Sequence, residues 1–174
     1  MRLATLAVCL AFAAPAAADD VVTEVQPPPR PTPFDRGRFG LSAGASSQTL
    51  LGSHYFEIGA GVAYYVLDGL SIGLSGFHEF GTGPSISQLA PELRYVAQPL
   101  VYKWPVVPYA GVFYKHLFVG DDIADEDSIG ARAGLMFVSG KLVLGLGVAV
   151  ESTVSACTGD CVYAYPDVIV SISF

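Results

Sequence analysis

The stretch that decides the fold is Val168-Ile169-Val170-Ser171-Ile172-Ser173-Phe174. Its outward candidates recur at every second position: Val168, Val170, Ile172 and Phe174. Ser171 and Ser173 fall between the last of them. Because successive side chains of a β-strand point to opposite faces, this alternation predicts a strand with one apolar face and one polar face.

Seven further segments with this alternation precede it. We predict strands over Arg38–Ser47, His54–Val66, Leu70–Phe80, Ser87–Gln98, Val106–Phe118, Ser128–Val138, Leu142–Ser152 and Val162–Phe174. Most are close to the length of about 9–11 residues with which a tilted strand crosses a bilayer. Apolar residues outside and polar residues inside are typical of a membrane barrel. We therefore predict that residues 38–174 form an all-β, eight-stranded, antiparallel up-and-down transmembrane β-barrel.

The turns support this segmentation, because a hairpin keeps both apolar faces outside only if its loop has the right parity. The second and third strands both have even-numbered apolar faces, so their loop must be odd, and Leu67-Asp68-Gly69 is a three-residue candidate. The sixth strand has an odd-numbered apolar face and the seventh an even-numbered one. That pair requires an even loop, for which Ser139-Gly140 is the candidate.

The composition agrees with a membrane protein. Hydrophobic residues make up 52% of the chain and charged residues only 14%, and the mean hydropathy is +0.48. Beyond the amino-terminal segment, no apolar run reaches the ~18 residues of a transmembrane helix. The net charge of −7 argues against nucleic acid as a partner, because phosphates attract basic proteins.

The amino-terminal segment has the layout of a secretory signal peptide, with Arg2, an apolar run over residues 3–12 and Ala16-Ala17-Ala18. We predict that residues 1–18 are removed. Residues 19–37 are polar and rich in proline, which favours an extended leader in the periplasm. This leader is interpreted either as a spacer or as a docking arm for a periplasmic partner.

With these features and a terminal aromatic residue, the chain resembles the small eight-stranded outer-membrane β-barrel proteins, the OmpX-like and OmpA-barrel-like group. The resemblance covers residues 38–174 and implies a protein of the bacterial outer membrane that contacts outer-membrane lipids and lipopolysaccharide. It implies that the barrel assembly machinery recognises an insertion signal formed by Val168, Val170, Ile172 and Phe174. We expect a monomer.

The strand register points a set of polar residues into the barrel. They include Glu57, Glu79, Glu92, Arg94, Lys115, Arg132, Glu151, Tyr109 and Asp167. Eight strands enclose an interior just wide enough for side chains to fill, and an isolated buried charge is costly. We therefore predict an ion-paired network that closes the lumen. The alternative is a narrow pore whose selectivity the same residues set.

Two cysteines, Cys157 and Cys161, lie four residues apart in a predicted external loop. In an exported protein such a pair predicts a disulfide bond. A metal site and free thiols are the alternatives that remain open. We predict no metal and no cofactor.

The three histidines, His54, His78 and His116, fall near the external ends of strands. An outer-membrane lipid A deacylase needs a histidine beside a serine, and neither Ser53-His54 nor Phe77-His78-Glu79 matches the His-x-Ser pattern of those enzymes. Residues adjacent on a strand point to opposite faces, so Ser53 and His54 are poorly placed to pair. We predict no catalytic residues.

Three functions fit this sequence. The first is a structural or surface-interaction barrel that acts through its external loops, chiefly residues 120–127 and 153–160. The second is a minor channel for small polar or hydrophobic solutes. The third and least favoured is a lipid-modifying enzyme.

Overall fold

A computed structural model describes residues 31–50, 53–81, 85–120, 125–155 and 161–174, with the backbone alone for residues 45–50 and 53–55. Within these residues the chain forms eight strands: β1 Phe39–Leu50, β2 Ser53–Leu67, β3 Leu70–Gly81, β4 Ile86–Val96, β5 Val106–Val119, β6 Glu126–Ser139, β7 Leu142–Thr153 and β8 Val162–Ser173. Each strand pairs antiparallel with the next, and β1 pairs with β8 to close the barrel. The predicted fold is confirmed.

The outer wall of the barrel is apolar, as the alternation predicts. Tyr64 of β2 lies opposite Ile72 of β3, and Leu135 of β6 lies opposite Leu146 of β7. All four side chains are exposed. A closed barrel has no free strand edge, and an apolar wall of this kind suits a lipid surround.

Two hairpins differ in detail from the predicted turns. Leu67 pairs with Leu70, so Asp68-Gly69 is the turn, and a register shift between Tyr65 and Leu67 supplies the odd residue. The outward residue before this turn is consequently Leu67, not Val66, because the bulge changes the alternation. Gly69 has a φ of 78°, a conformation that favours glycine.

In the second hairpin Ser139 pairs with Leu142, so the turn is Gly140-Lys141 rather than Ser139-Gly140. The predicted end of the fourth strand at Gln98 is also wrong. β4 ends at Val96, and a short 3₁₀ helix follows over Gln98–Tyr102. Pro99 lacks the amide that a further ladder bond would need, which explains the early end.

The two ends of the barrel differ. We call the end that holds residues 31–38 and Phe174 the terminal end, and the opposite end the loop end. Phe39 and Phe174 exchange backbone hydrogen bonds at the terminal end, with N···O distances of 3.2 and 2.8 Å. Within the described residues, no helix is long and apolar enough to cross a membrane.

Candidate functional site

The lumen is the candidate functional site, because the strands aim the charged side chains predicted for it inward. Glu79 and Glu151 are buried, and Glu57, Glu92, Arg94, Lys115 and Arg132 are partly buried. Within the described residues, their hydrogen bonds and ion pairs do not join them into the single predicted network. They lie in three groups, which are described from the middle of the barrel towards the loop end.

The arginine group comprises Tyr109, Glu92, Arg94, Arg132 and Asp167. Nε of Arg94 lies 2.5 Å from Oε1 of Glu92, though not aligned for a hydrogen bond. Nη1 of Arg132 lies 3.4 Å from Oε2 of Glu92 and 3.2 Å from Oδ1 of Asp167. The Tyr109 hydroxyl donates to Asp167 at 2.7 Å. Two guanidinium groups and two carboxylates therefore balance in charge.

The lysine group lies one step nearer the loop end and centres on the Glu151 carboxylate. Nζ of Lys115 lies 2.5 Å from Oε2 of Glu151, to which the Tyr165 hydroxyl also donates at 2.8 Å. The Ser128 hydroxyl donates to Oε1 at 2.5 Å. Because three donors converge on one carboxylate, the Glu151 charge is well satisfied inside the barrel.

The carboxylate group consists of Glu57, Glu79 and Gln88. Nε2 of Gln88 donates to Oε2 of Glu57 at 3.1 Å and to Oε1 of Glu79 at 2.5 Å. The other oxygen of Glu79, Oε2, is buried and has no hydrogen-bond partner. Two carboxylates thus meet at one neutral amide, an arrangement that the predicted single network did not include.

An apolar cluster of buried residues, here called the floor, lies at the terminal end of the barrel. Its members are Phe34, Tyr65, Val96, Val107, Tyr109, Met136, Val143 and Ile169. Phe34 is 1% exposed, although it precedes β1 and belongs to the segment predicted as an extended leader. Residues 31–37 therefore pack as part of the barrel, which moves the start of the folded unit before Arg38.

Hydrogen bonds hold this segment in place. The amide of Gly69 donates to the Phe34 carbonyl, and the Ser173 hydroxyl donates to the Pro33 carbonyl, both at 2.8 Å. Nε2 of Gln98, at the start of the 3₁₀ helix, donates to Oδ1 of Asp35 at 3.0 Å. The sequence carried one signal of this packing, a single phenylalanine in a polar leader.

At the loop end, two histidines face outward and contact the neighbouring strand. Nδ1 of His78 in β3 lies 2.8 Å from the hydroxyl of Ser87 in β4. Nδ1 of His116 in β5 lies 2.6 Å from Oδ1 of Asp127 in β6, to which the Tyr114 hydroxyl also donates. The His78–Ser87 pair joins two strands across the ladder, so a search for serine and histidine near each other in sequence misses it.

The remaining predicted sites lie partly outside the described residues. Residues 1–18, the side chain of His54 and Cys157 lie outside the described residues, so the signal peptide and the Cys157–Cys161 disulfide stay predictions. Cys161 immediately precedes β8. Val168, Val170, Ile172 and Phe174 lie on the exposed face at the end of the chain. Within the described ranges, no cluster of three or more His, Cys, Asp or Glu residues could hold a metal ion.

Comparison with known proteins finds structural likeness alone. No family model matches the chain, and no curated protein matches it. The amino-terminal β-barrel domain of Pseudomonas aeruginosa OprF aligns with a TM-score of 0.59 and 11% identity, over 80% of this chain and 98% of that one. Neisserial surface protein A aligns with a TM-score of 0.51 and 15% identity, over 78% and 94%.

The outer membrane protein OprG from Pseudomonas aeruginosa also aligns, with a TM-score of 0.43 and 16% identity over 81% of this chain and 97% of that one. The chain has the fold of the small eight-stranded outer-membrane β-barrels. At these identities the likeness extends to the fold and not to what these proteins do.

Proposed function

We propose that this chain is an integral protein of the bacterial outer membrane, without enzymatic activity, whose lumen is closed and whose loop end contacts lipopolysaccharide or another surface. The observation that carries the proposal is the buried apolar floor, with ion-paired groups beyond it. The amino and carboxy termini would then lie on the periplasmic side, and the loop end would face the cell exterior, as in bacterial barrels with longer external loops.

Closure is supported by two layers of different chemistry. The floor contains side chains that water does not reach, with Val96 and Val107 0% exposed and Met136 1% exposed. Beyond it, the arginine and lysine groups bring each cation onto a carboxylate. An ion that crossed the barrel would have to break buried ion pairs and then enter an apolar layer, both of which are costly.

A role for the loop end is supported by contacts that join two neighbouring loops. The amide of Asp127 donates to the Ser155 hydroxyl at 3.1 Å, and the amide of Val154 donates to the Asp127 carbonyl at 2.8 Å. The described parts of the loops over residues 120–127 and 153–160 are thus held together. A surface assembled in this way suits recognition, and replacing these loops is expected to abolish binding to lipopolysaccharide.

Single-channel recording of the refolded chain in a planar bilayer tests the closed lumen. A change of gel mobility on heating shows that the barrel has formed. From such protein we expect no channel openings. Steady openings that depend on salt, and that change in Glu92→Gln, would overturn the proposal and favour a narrow channel. Glu126→Gln, near the loop end, is the matched control for loss of a carboxylate.

A lipid-modifying enzyme is the second candidate, and the His78–Ser87 pair is the observation that favours it. A serine hydroxyl activated by an adjacent histidine can attack an acyl ester. The non-enzymatic reading is preferred because, among the described residues, no acidic side chain hydrogen-bonds to the other nitrogen of His78. The test is whether the chain releases fatty acid from outer-membrane lipids. Release by the parent chain that disappears in Ser87→Ala would establish enzymatic activity.

A further inference from the structure

We propose that the carboxylate group binds a divalent hard cation, Ca²⁺ in the first instance, between Glu57 and Glu79 on the loop-end side of the lumen. This site is additional to the proposed function and does not depend on whether the lumen conducts. It rests on the convergence of two carboxylates and on a buried oxygen that lacks a partner.

The carboxylates of Glu57 and Glu79 converge on the side-chain amide of Gln88. Its amide nitrogen carries two hydrogens, and one is used for Glu57 and the other for Glu79. Glu57 and Glu79 are also direct register partners in β2 and β3. Two like charges placed side by side repel each other.

The second observation concerns the other oxygen of the Glu79 carboxylate. Glu79 is 1% exposed, yet Oε2 has no hydrogen-bond partner. A buried charged oxygen without a partner is strongly unfavourable, and such groups are normally paired or coordinate a metal. The open lone pairs of Oε2 are therefore where a ligand would bind.

The surroundings supply no positive charge to Glu79. In the part of the chain that the structure describes, no ion pair reaches this carboxylate, because Arg94, Arg132 and Lys115 lie against the acids of the other two groups. Ile86, 5% exposed, is the register partner of Glu79 in β4. A cation from solution would supply the missing partner.

The donor set selects the kind of cation. Carboxylate and amide oxygens suit Ca²⁺ and Mg²⁺, and Ca²⁺ accepts irregular sets completed by water. Rotating the Gln88 amide by half a turn would replace its nitrogen with Oε1 and add a third ligand. The site would fill from the loop end, since Glu57 and Gln88 are only partly buried and the apolar floor lies towards the other end.

Calorimetric titration tests the site. The refolded chain in detergent, stripped with EDTA, is titrated with CaCl₂ at constant ionic strength. We expect one ion per chain with a dissociation constant of about 10⁻⁴–10⁻³ M, the range of weak extracellular calcium sites. Glu79→Gln should weaken binding by about tenfold or more through loss of a charged ligand, whereas Glu126→Gln, which removes a carboxylate bonded to Thr153, should leave binding unchanged.

If Glu79→Gln lacks heat-modifiable mobility, it has not folded, and a second variant then tests the site. Gln88→Glu adds a third carboxylate and should tighten calcium binding, because affinity rises with the charge of the ligands. Absence of binding to the parent chain would overturn the proposal. Equal binding by the parent, Glu79→Gln and Gln88→Glu would overturn it too, because the ion would then lie on other acidic residues.

Discussion

At the scale of single residues, the lumen depends on rings that lie against glycines. The Phe113 ring is 4% exposed, and Cζ of Arg132 lies 4.6 Å from its centroid, within the range of a cation–π contact. Nζ of Lys115 lies 5.8 Å from the same ring. The ring therefore separates the arginine group from the lysine group and contacts both.

Gly130 makes room for this ring. A Cβ at Gly130 would overlap Phe113, so Gly130→Ala is expected to destabilise the barrel by about 1–3 kcal/mol through overpacking. Gly44→Ala is the matched control, since a Cβ there meets nothing within 4 Å. Urea unfolding of the two variants in lipid vesicles measures the difference. Equal stabilities would show that the ring moves aside without cost.

Lys115 and Glu151 form the second residue-scale prediction. Their side chains are 18% and 10% exposed, so Lys115→Met leaves a largely buried carboxylate with hydroxyl partners alone. We expect a loss of about 3 kcal/mol, as for other broken buried ion pairs.

Lys103→Met, at an exposed position just after the 3₁₀ helix, should change the unfolding free energy by less than about 0.5 kcal/mol. Exchanging both partners in Lys115→Met/Glu151→Leu should recover much of the loss, because no unpaired charge then remains. A single variant as stable as the parent would contradict the buried ion pair.

At the scale of elements, the segment before β1 is the part of the fold that changes most from expectation. Phe34 packs against Tyr65 with ring centroids 5.8 Å apart. Phe34→Ala should cost about 3–5 kcal/mol, the usual range for emptying a buried phenylalanine site. Arg36→Ala in the same segment removes an exposed side chain and is the control. A Phe34→Ala barrel with parental urea resistance would show that the floor is complete without this residue.

The strands were predictable because the signal that defines them is local. A period of two residues in hydrophobicity states which residues face out, and the parity of each turn checks the assignment. Errors fell at the ends of strands and in turns. A one-residue bulge at Val66 or an added turn residue such as Lys141 leaves no trace in the alternation.

The contacts inside the barrel were less predictable. Inward direction follows from the alternation, but partners depend on the stagger between strands. Lys115 in β5 meets Glu151 in β7, across the intervening strand, while Glu79 meets Gln88. The His78–Ser87 pair depends on register in the same way. Phe34 was missed for another reason, since proline-rich polar composition favours an extended leader.

At the scale of the whole molecule, the depth of each outward position in the lipid becomes testable. Leu146 lies near the middle of β7 and Leu142 at its start, and both are exposed. Leu146→Arg should cost about 2–4 kcal/mol and Leu142→Arg only about 0–1, as arginine does at the midplane and near the interface of membrane barrels. Unfolding in lipid vesicles measures both free-energy losses. Equal losses would contradict a bilayer whose midplane lies near Leu146.

The closing seam of the barrel has a kinetic consequence. Seven of the strand pairs connect neighbours in sequence, whereas β1 and β8 lie at opposite ends of the chain. Among the described residues their ladder consists of three pairs, Gly40 with Ser173, Leu41 with Ile172 and Ser42 with Ser171. Joining them closes the longest loop in the molecule, at an entropy cost that grows with loop length. We therefore expect the β1–β8 ladder to form last during folding, and the amide protons along it to exchange with solvent first.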